Sequence, residues 1–242
     1  MADVALAGRG LVRLYGDGAG VRGMDIAVVA GQIHALVGLN GAGKSTLMRI
    51  LLGMLKPTAG TVTIEGRRLD GADWAAVGHL VESPLAYGEL TVRQNLALGA
   101  RLHGVPAPRV APMVDAAMTE LRMDTYAGRR ARTLSLGNRQ RLGLASALQH
   151  HPRIIVLDEP SNGLDPAGVI LLREALLTRA GDGAGVLVSS HHLDEVARIA
   201  DRISVVNQGR IIGDLDPGGI DIERSFFDLV LADDTEVPCT RR

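Results

Sequence analysis

The feature that most constrains this chain is a glycine-rich loop that lies between a strand pattern and a helix pattern. The loop fits G-x-x-x-x-G-K-[ST], and its residues are Gly38, Leu39, Asn40, Gly41, Ala42, Gly43, Lys44, Ser45 and Thr46. Residues 33–37 are apolar like a buried strand, and residues 46–52 have a helical pattern. Glycines let successive backbone N–H groups turn toward an anion, and the following helix adds its positive end. The loop is therefore predicted to hold nucleotide phosphates, with Lys44 on the β- and γ-phosphates and Ser45 on Mg²⁺.

A pair of acids is the second feature. Residues 154–157 form an apolar run that ends in Asp158 and Glu159. The carboxyl end of a buried parallel strand is where α/β sheets place their ligands. Hydrolysis of a nucleotide needs a held metal ion and an oriented water, so we expect Asp158 to hold Mg²⁺ and Glu159 to activate water. The pair alone fits a solvated turn equally well, and its combination with the glycine loop favours a nucleotide site.

Two further residues have a functional and a structural interpretation. His191 follows another apolar strand, 32 residues beyond Glu159, and its imidazole would contact the γ-phosphate or the attacking water there. A histidine at a strand end also serves purely structural roles. Tyr15 would stack on a base, but an aromatic residue in a strand also packs in a core. The residues by themselves leave both alternatives open.

The charge balance argues against a nucleic-acid partner. The 242 residues carry 26 basic and 27 acidic side chains, so no overall field attracts a polyanion, and we expect no nucleic acid to bind. A local group of arginines fits a solvated surface, with a phosphate-rich or membrane-proximal face as the alternative. These residues are Arg129, Arg130, Arg132, Arg139 and Arg141.

The sequence predicts neither a membrane span nor a secretion signal. Residues 26–43 are the longest uncharged segment, but polar residues and glycines interrupt them. The first residues lack the basic and apolar blocks of a signal peptide. The single cysteine, Cys239, cannot form an internal disulfide and fits a reducing compartment. The chain is therefore expected in the cytoplasm, and a role at a membrane would need spans from another chain.

The order of patterns predicts an α/β chain with two additions. Residues 4–15 and 21–29, separated by glycine-rich turn residues, predict an antiparallel layer that residues 61–64 join as a hairpin arm. Residues 84–151 are mostly helical and are punctuated by prolines at 106, 108 and 112. The predicted arrangement is a single domain with a core at 1–83 and 152–212, a helical subdomain at 84–151 and a short polar tail at 213–242. That tail carries one apolar island, at 226–231.

Five motifs in order make the chain resemble the ATP-binding subunits of ABC transporters. Residues 134–141, Leu-Ser-Leu-Gly-Asn-Arg-Gln-Arg, are similar to the family signature Leu-Ser-Gly-Gly-Gln followed by Gln-Arg. Residues 155–160 resemble the Walker B strand, residues 161–166 resemble the D-loop, and Ser190-His191 matches the switch histidine. The glycine loop is the fifth motif, and Tyr15 occupies the place of the adenine-stacking aromatic. The resemblance covers roughly residues 4–212.

The resemblance implies a fold and a set of roles. The fold is a P-loop NTPase with a RecA-like parallel core, an N-terminal antiparallel β layer and an inserted helical subdomain. The function is hydrolysis of ATP with Mg²⁺, with Lys44, Glu159 and His191 in catalysis. Two copies would face head to tail, so that Ser135, Gly137 and Asp165 of one copy close the ATP site of the other. A separate membrane permease would hold the subunits at the inner face of the cell membrane.

Two departures from the family pattern refine the resemblance. The family usually has Gln where this chain has Glu82, in the loop that senses Mg²⁺ and contacts the permease. Glu82 is therefore expected at the cofactor and metal site, where its carboxylate would add a negative charge. Leu136 and Asn138 replace the common Gly and Gln of the signature. These features are similar to those of exporter ATPases linked to bacitracin and lantibiotic self-protection. This resemblance implies export of a drug or an antimicrobial peptide.

Three alternatives to an exporter subunit stay open at this point. The first is an ABC-type ATPase that acts on nucleic acid or the ribosome, although such proteins commonly have two ATPase halves or a coiled-coil insertion. The second is a subunit of an importer. The third is a nucleotide-gated assembly that binds ATP and hydrolyses it slowly because of Glu82 and Leu136.

Overall fold

A computed structural model describes residues 3–16, 18–84 and 86–236, so the predicted role of Cys239 lies outside the described residues. The described part contains ten strands. In chain order they are β1 Val4–Leu14, β2 Gly20–Val29, β3 Ile33–Val37, β4 Ala59–Ile64, β5 Arg67–Arg68, β6 Val77–Leu80, β7 Ile154–Leu157, β8 Gly185–Ser190, β9 Arg202–Asn207 and β10 Arg210–Leu215. The α-helices are α1 Lys44–Leu51, α2 Val92–Leu102, α3 Ala107–Glu120, α4 Leu136–Leu148, α5 Pro166–Gly181, α6 Leu193–Ala197 and α7 Ile222–Glu236.

The strands form two sheets, as the fold class predicted. The antiparallel sheet has the order β2-β1-β4-β5, and the six-stranded sheet has the order β10-β9-β3-β8-β7-β6. In the second sheet only β10 runs antiparallel to its neighbour. All residues of β3, β7 and β8 are buried, which explains their continuous apolar runs. Because β8 lies between β3 and β7, their carboxyl ends bring the glycine loop, the acid pair and His191 to one edge.

The parallel sheet separates two apolar clusters. Ile33, Ala35 and Val37 of β3 belong to the cluster that includes the helical lobe and α5. Leu36 belongs to the other cluster, with α1 and the antiparallel sheet. This alternation follows from the period of two along a strand. The glycine loop thus emerges from a strand that is packed on both faces.

The helical lobe between β6 and β7 contains α2, α3 and α4. Thr91 and Gln94 form a capping box that begins α2, since each side chain accepts a hydrogen bond from the other's backbone N–H. Two of the prolines that punctuate this region, Pro108 and Pro112, lie within α3. Pro112 costs the helix a backbone hydrogen bond, and the buried residues Val114 and Met118 hold it in place by packing.

The C-terminal part differs most from the prediction. The closing strand was expected to end at residue 212 with a polar tail after it, but β10 continues to Leu215 and residues 222–236 form α7. Ile222, Phe226 and Val230 repeat every four residues, and all three are buried. They place one face of α7 in the cluster that also contains residues of β9 and β10. Across the three described ranges, no helix combines the length and the apolar character needed to cross a bilayer.

Candidate functional site

The glycine loop joins β3 to α1, and its glycines are required by close backbone contacts. A Cβ atom at Gly38 would lie 2.2 Å from the carbonyl oxygen of Val206. Gly43 precedes α1 with φ 110°, and its Cβ would lie 2.7 Å from the carbonyl oxygen of Gly20. Side chains at either place would push neighbouring strands away. The loop is thus shaped to turn backbone N–H groups, and not side chains, toward an anion.

Lys44 is the charged group of this loop. Its side chain is buried, and its Nζ donates a hydrogen bond of 2.7 Å to the carbonyl oxygen of Gly38. A buried ammonium group needs compensating partners. Glu159 supplies a negative one, with 3.7 Å between Lys44 Nζ and Glu159 Oε1. Ser45 and Thr46 are half-buried in the first turn of α1, next to this ammonium group.

Glu159 also contacts His191. Glu159 Oε2 lies 2.7 Å from His191 Nδ1 and accepts a second hydrogen bond, of 3.3 Å, from the His191 backbone N–H. When the Glu159 carboxylate is ionised it only accepts hydrogen bonds, and Nδ1 is then the ring nitrogen that donates. Glu159 itself has φ 47°, a backbone conformation that residues other than glycine adopt rarely. Lys44, Glu159 and His191, the three residues predicted to be catalytic, therefore meet at one place.

Asp158 is held by a residue that the sequence did not single out. The hydroxyl of Ser189 donates to Asp158 Oδ1 over 2.5 Å and accepts the Glu159 backbone N–H over 2.8 Å. Ser189 is fully buried near the end of β8, the strand adjacent to β7. One signal for it existed, namely two serines at the end of an otherwise apolar strand. We call Lys44, Asp158, Glu159, Ser189 and His191 the glycine-loop cluster.

The donor set near the loop fits Mg²⁺. This ion prefers oxygen ligands, and it commonly takes one or two protein groups together with phosphates and water. The hydroxyl of Ser45 and the carboxylate of Asp158, which is 8% exposed, provide such oxygens.

A second group of predicted residues lies at the start of α4. Ser135 caps this helix, and its hydroxyl accepts the Asn138 backbone N–H over 3.3 Å. Ser135 and Leu136 are exposed, and Leu136 retains 62% of its surface. A Cβ atom at Gly137 would lie 2.6 Å from the carbonyl oxygen of Gly163, so α4 closely approaches the segment after Glu159.

Asp165 connects α4 to α5. It caps α5 by accepting the Gly168 backbone N–H over 2.9 Å, and it pairs with Arg141 of α4. The Arg141 guanidinium holds the pKa of the Asp165 carboxyl below its usual value. Gln140, buried in the same helix, donates to the carbonyl oxygen of Pro160 over 3.0 Å. We call Ser135, Leu136, Gly137 and Asp165 the signature surface.

Glu82 has an ion-pair partner outside the glycine-loop cluster. Its carboxylate pairs with Arg49 of α1, and its backbone has φ 74°. Both residues line a groove of about 690 Å³ between the end of β6 and the helical lobe, which we call the lobe groove. Its wall includes the exposed side chains of Met54, Tyr87 and Leu102.

Tyr15 lies at the surface, beside the turn between β1 and β2. It keeps 41% of its surface, and the Arg13 guanidinium carbon lies 5.8 Å from its ring centroid. The alternative that Tyr15 belongs to the core is therefore wrong. An exposed ring can accept a flat group on its face.

Comparisons with known proteins find a matching family model and similar relatives. The family model described as "ABC transporter" matches residues 21–162. The lantibiotic transport ATP-binding protein SrtF of Streptococcus pyogenes is 33% identical over 222 residues, which cover 91% of this chain and 95% of the relative. The bacitracin transport ATP-binding protein BcrA of Bacillus licheniformis is 33% identical over 209 residues, 85% of this chain and 67% of the relative.

A solved structure has a similar fold along nearly the whole chain. It is described as an ATP-binding subunit of an ABC transporter, and its TM-score is 0.82 at 29% sequence identity. The alignment covers 98% of this chain and all of that chain.

Proposed function

The chain belongs to the ABC transporter family, in which it is an ATP-binding and ATP-hydrolysing subunit, and we propose that it powers a separate permease that exports a drug, an antimicrobial peptide or a similar compound. The observation that carries this proposal is the contact of Glu159 with both Lys44 and His191 at the end of the glycine loop. The cargo class rests on relatives whose names refer to transport of a lantibiotic and of bacitracin. The direction rests on a relative from Rhizobium sp. whose name refers to export of Nod factor.

The contacts within the glycine-loop cluster suggest a role in ATP hydrolysis for each of its charged residues. Lys44 exchanges its hydrogen bond to the Gly38 carbonyl for the β- and γ-phosphates of ATP, because phosphate oxygens carry more charge than a carbonyl. Glu159 then loses its cationic neighbour to the phosphates and is free to accept a proton from water. His191 keeps the Glu159 carboxylate in place through Nδ1 and leaves its other ring nitrogen for the γ-phosphate or the water.

Ser45 and Asp158 would hold Mg²⁺, which when bound neutralises charge on the phosphate oxygens. Ser189 keeps Asp158 and the Glu159 backbone in register, because a single hydroxyl bonds to both. The exposed ring of Tyr15 would stack on the adenine.

The signature surface supports a second part of the proposal, a head-to-tail pair of subunits. Ser135 caps a 13-residue helix, and Ser135 and Leu136 at the positive end of this helix are exposed. Such an end favours an anion, and ATP held on the glycine loop of another copy supplies one. We therefore expect two copies to enclose ATP between them.

The lobe groove supports the third part, docking of the permease. Apolar side chains at its wall and the Arg49–Glu82 pair inside it suit a partner with both apolar and charged side chains. Docking there would hold the subunit at the inner face of the membrane. Purification together with a membrane protein would support this part, whereas purification with RNA or DNA would favour the nucleic-acid alternative.

The experiment that tests the function is the substitution Glu159→Gln. Gln keeps the size of the side chain but cannot take a proton from water. We expect ATP to bind, a nucleotide-bound dimer to accumulate in sedimentation experiments, and turnover to fall about 100-fold or more. Glu174→Gln, at an exposed position of α5, is the matched control and should hydrolyse ATP normally. Near-normal hydrolysis by Glu159→Gln would remove Glu159 from its proposed role.

A further inference from the structure

The turn between β9 and β10 lies directly against the glycine loop. The Gly209 backbone N–H donates a hydrogen bond of 2.9 Å to the carbonyl oxygen of Ala42, and the Gly209 carbonyl oxygen accepts the Arg22 N–H over 2.7 Å. A Cβ atom at Gly209 would lie 2.4 Å from the carbonyl oxygen of Gly20. The turn therefore fills the space between the glycine loop and the start of β2.

The hydrogen bond from Gly209 helps to keep the Ala42 carbonyl group directed away from the inner side of the glycine loop. A loop that binds phosphate needs its N–H groups on the inner side, and so its carbonyl groups must find partners elsewhere. Gly209 is such a partner for Ala42. If the turn shifts, the Ala42 carbonyl loses this bond and the loop gains alternative conformations.

Two acids near the end of α7 hold this turn. Asp233 binds Arg210 Nη2 at 2.7 Å and Asn207 Nδ2 at 2.9 Å. Asp234 Oδ1 accepts from Asn207 Nδ2 at 2.9 Å and from Gln208 Nε2 at 2.7 Å. Asn207 is buried, and Asp233 keeps only 13% of its side-chain surface. Hydrogen bonds to a carboxylate are stronger than those between neutral groups, and the shielded Asp233 contributes more to holding the turn than Asp234, which is exposed.

The helix that carries the two acids, α7, is itself fixed by apolar packing. Ile222, Phe226 and Val230 bury the inner face of α7 in the apolar cluster shared with β9 and β10. The two acids follow directly on the next turn of the same helix. A continuous set of contacts thus runs from α7 through residues 207–210 to Ala42. The family model matches residues 21–162 and therefore does not include α7.

We propose that Asp233 and Asp234 are positioning residues for ATP: they fix the turn 207–210, and the turn fixes the glycine loop in the conformation that binds phosphate. The inference rests on ATP binding at this loop. Neither acid contacts the reacting groups, so the expected consequence is weaker ATP binding with little change in the chemical step.

The test compares variants of the full chain by steady-state ATP hydrolysis, ATP titration calorimetry and thermal unfolding. In the double variant Asp233→Ala and Asp234→Ala we expect the KM and the Kd for ATP to rise about fivefold, with kcat within about twofold of the original. Asp234→Ala alone should give part of this rise. Asp234→Asn keeps an acceptor oxygen for Asn207 and Gln208 and should bind ATP as the original chain does.

Asp228→Ala is the matched control, because Asp228 is an exposed acid of α7 whose carboxylate lies 3.9 Å from Arg224 Nε. An unchanged KM in the folded double variant, or the same rise in Asp228→Ala, would show that α7 acts on stability alone and would overturn the inference. If the double variant does not fold, Gln208→Ala removes one exposed bond to Asp234, and an unchanged KM there would overturn it as well. Failure of the original chain to bind ATP would instead overturn the proposed function.

Discussion

The glycine-loop cluster and the signature surface differ in how far one chain completes them. In the cluster, Lys44 and Asp158 are buried and Glu159 is bonded to two neighbours, so the groups are fixed before any ligand binds. On the signature surface, Ser135 and Leu136 are exposed, and Asp165 is the member held by an ion pair. The first region is organised to bind within the chain, and the second has its binding groups directed at solvent.

This difference is consistent with the proposed head-to-tail pair of subunits. A fixed set of charges lowers the cost of binding phosphate, because little reorganisation remains to be done. An exposed helix N-terminus contributes little until another charged group covers it, since water screens its field. Binding of ATP should therefore depend on the cluster, and hydrolysis should depend on both regions.

The largest expected effect comes from Lys44→Ala. Loss of the buried ammonium group should weaken ATP binding by a single chain and reduce hydrolysis about 100-fold or more. ATP titration calorimetry and a phosphate-release assay measure the two effects. Lys56→Ala, at an exposed lysine, is the control. Normal ATP binding by Lys44→Ala would contradict the view that ATP binding depends on the cluster.

The second prediction concerns pH and the strand beneath the cluster. His34 of β3 is buried, with Nε2 2.8 Å from Ser204 Oγ, and burial together with the Arg202 charge lowers its pKa to about 4. The unfolded chain takes up a proton near pH 6.5, so acidification between 6.5 and 4 favours unfolding. Stability should be highest above pH 6.5, and His34 should account for a loss of at most about 3 kcal/mol by pH 4.

Urea unfolding at pH 7 and pH 5 tests whether the free energy of unfolding falls as the pH is lowered. His34→Gln should reduce the difference between the two pH values, whereas His151→Asn, at an exposed histidine with φ 51°, should leave it unchanged. His150, whose pKa burial also lowers to about 4, accounts for a remaining slope in His34→Gln. Greater stability at pH 5 than at pH 7 in the original chain would contradict the prediction.

The third prediction separates the two regions directly. Gly137→Ala places a methyl group against the Gly163 carbonyl and should shift the start of α4. Hydrolysis should fall about tenfold while the ATP affinity of the single chain stays the same. Gly128→Ala, where no atom lies within 4 Å of the added Cβ, is the control. A loss of ATP affinity in Gly137→Ala would show that the regions are not independent.

The smallest effect is expected from Arg141→Gln. This change removes the ion pair with Asp165 but leaves the bond from Gly168 that caps α5. Because Asp165 is largely exposed, water screens the pair, and hydrolysis should change no more than about threefold. A steady-state assay at low and high salt measures it. A loss as large as that of Gly137→Ala would show that the pair positions the signature surface.

Local patterns were sufficient to predict most of the fold and every residue of the glycine-loop cluster except Ser189. The glycine loop, the acid pair and His191 each follow an apolar strand, and parallel strands place their carboxyl ends at the same edge. The family and the fold class inferred from these motifs are confirmed. The roles of the individual residues stay predictions that the substitutions above can test.

Other features depended on contacts between distant parts of the chain. Ser189 serves Asp158 because β8 pairs with β7, and Glu82 pairs with Arg49 because α1 packs near the end of β6. No local pattern states which strands or helices become neighbours. Tyr15 could be assigned to the surface only when the turn beside it was seen to leave its ring uncovered.

The sequence by itself determined which backbone conformations and which chemical groups are available: glycines where side chains do not fit, apolar strands, and charged residues at their ends. Only the tertiary structure decided which of these groups meet, because hydrogen bonds and ion pairs form between residues that are far apart in sequence. The contact of α7 with residues 207–210 is the clearest case. Its apolar spacing is visible in the sequence, but its two acids reach the turn beside the glycine loop only after β9 and β10 have paired.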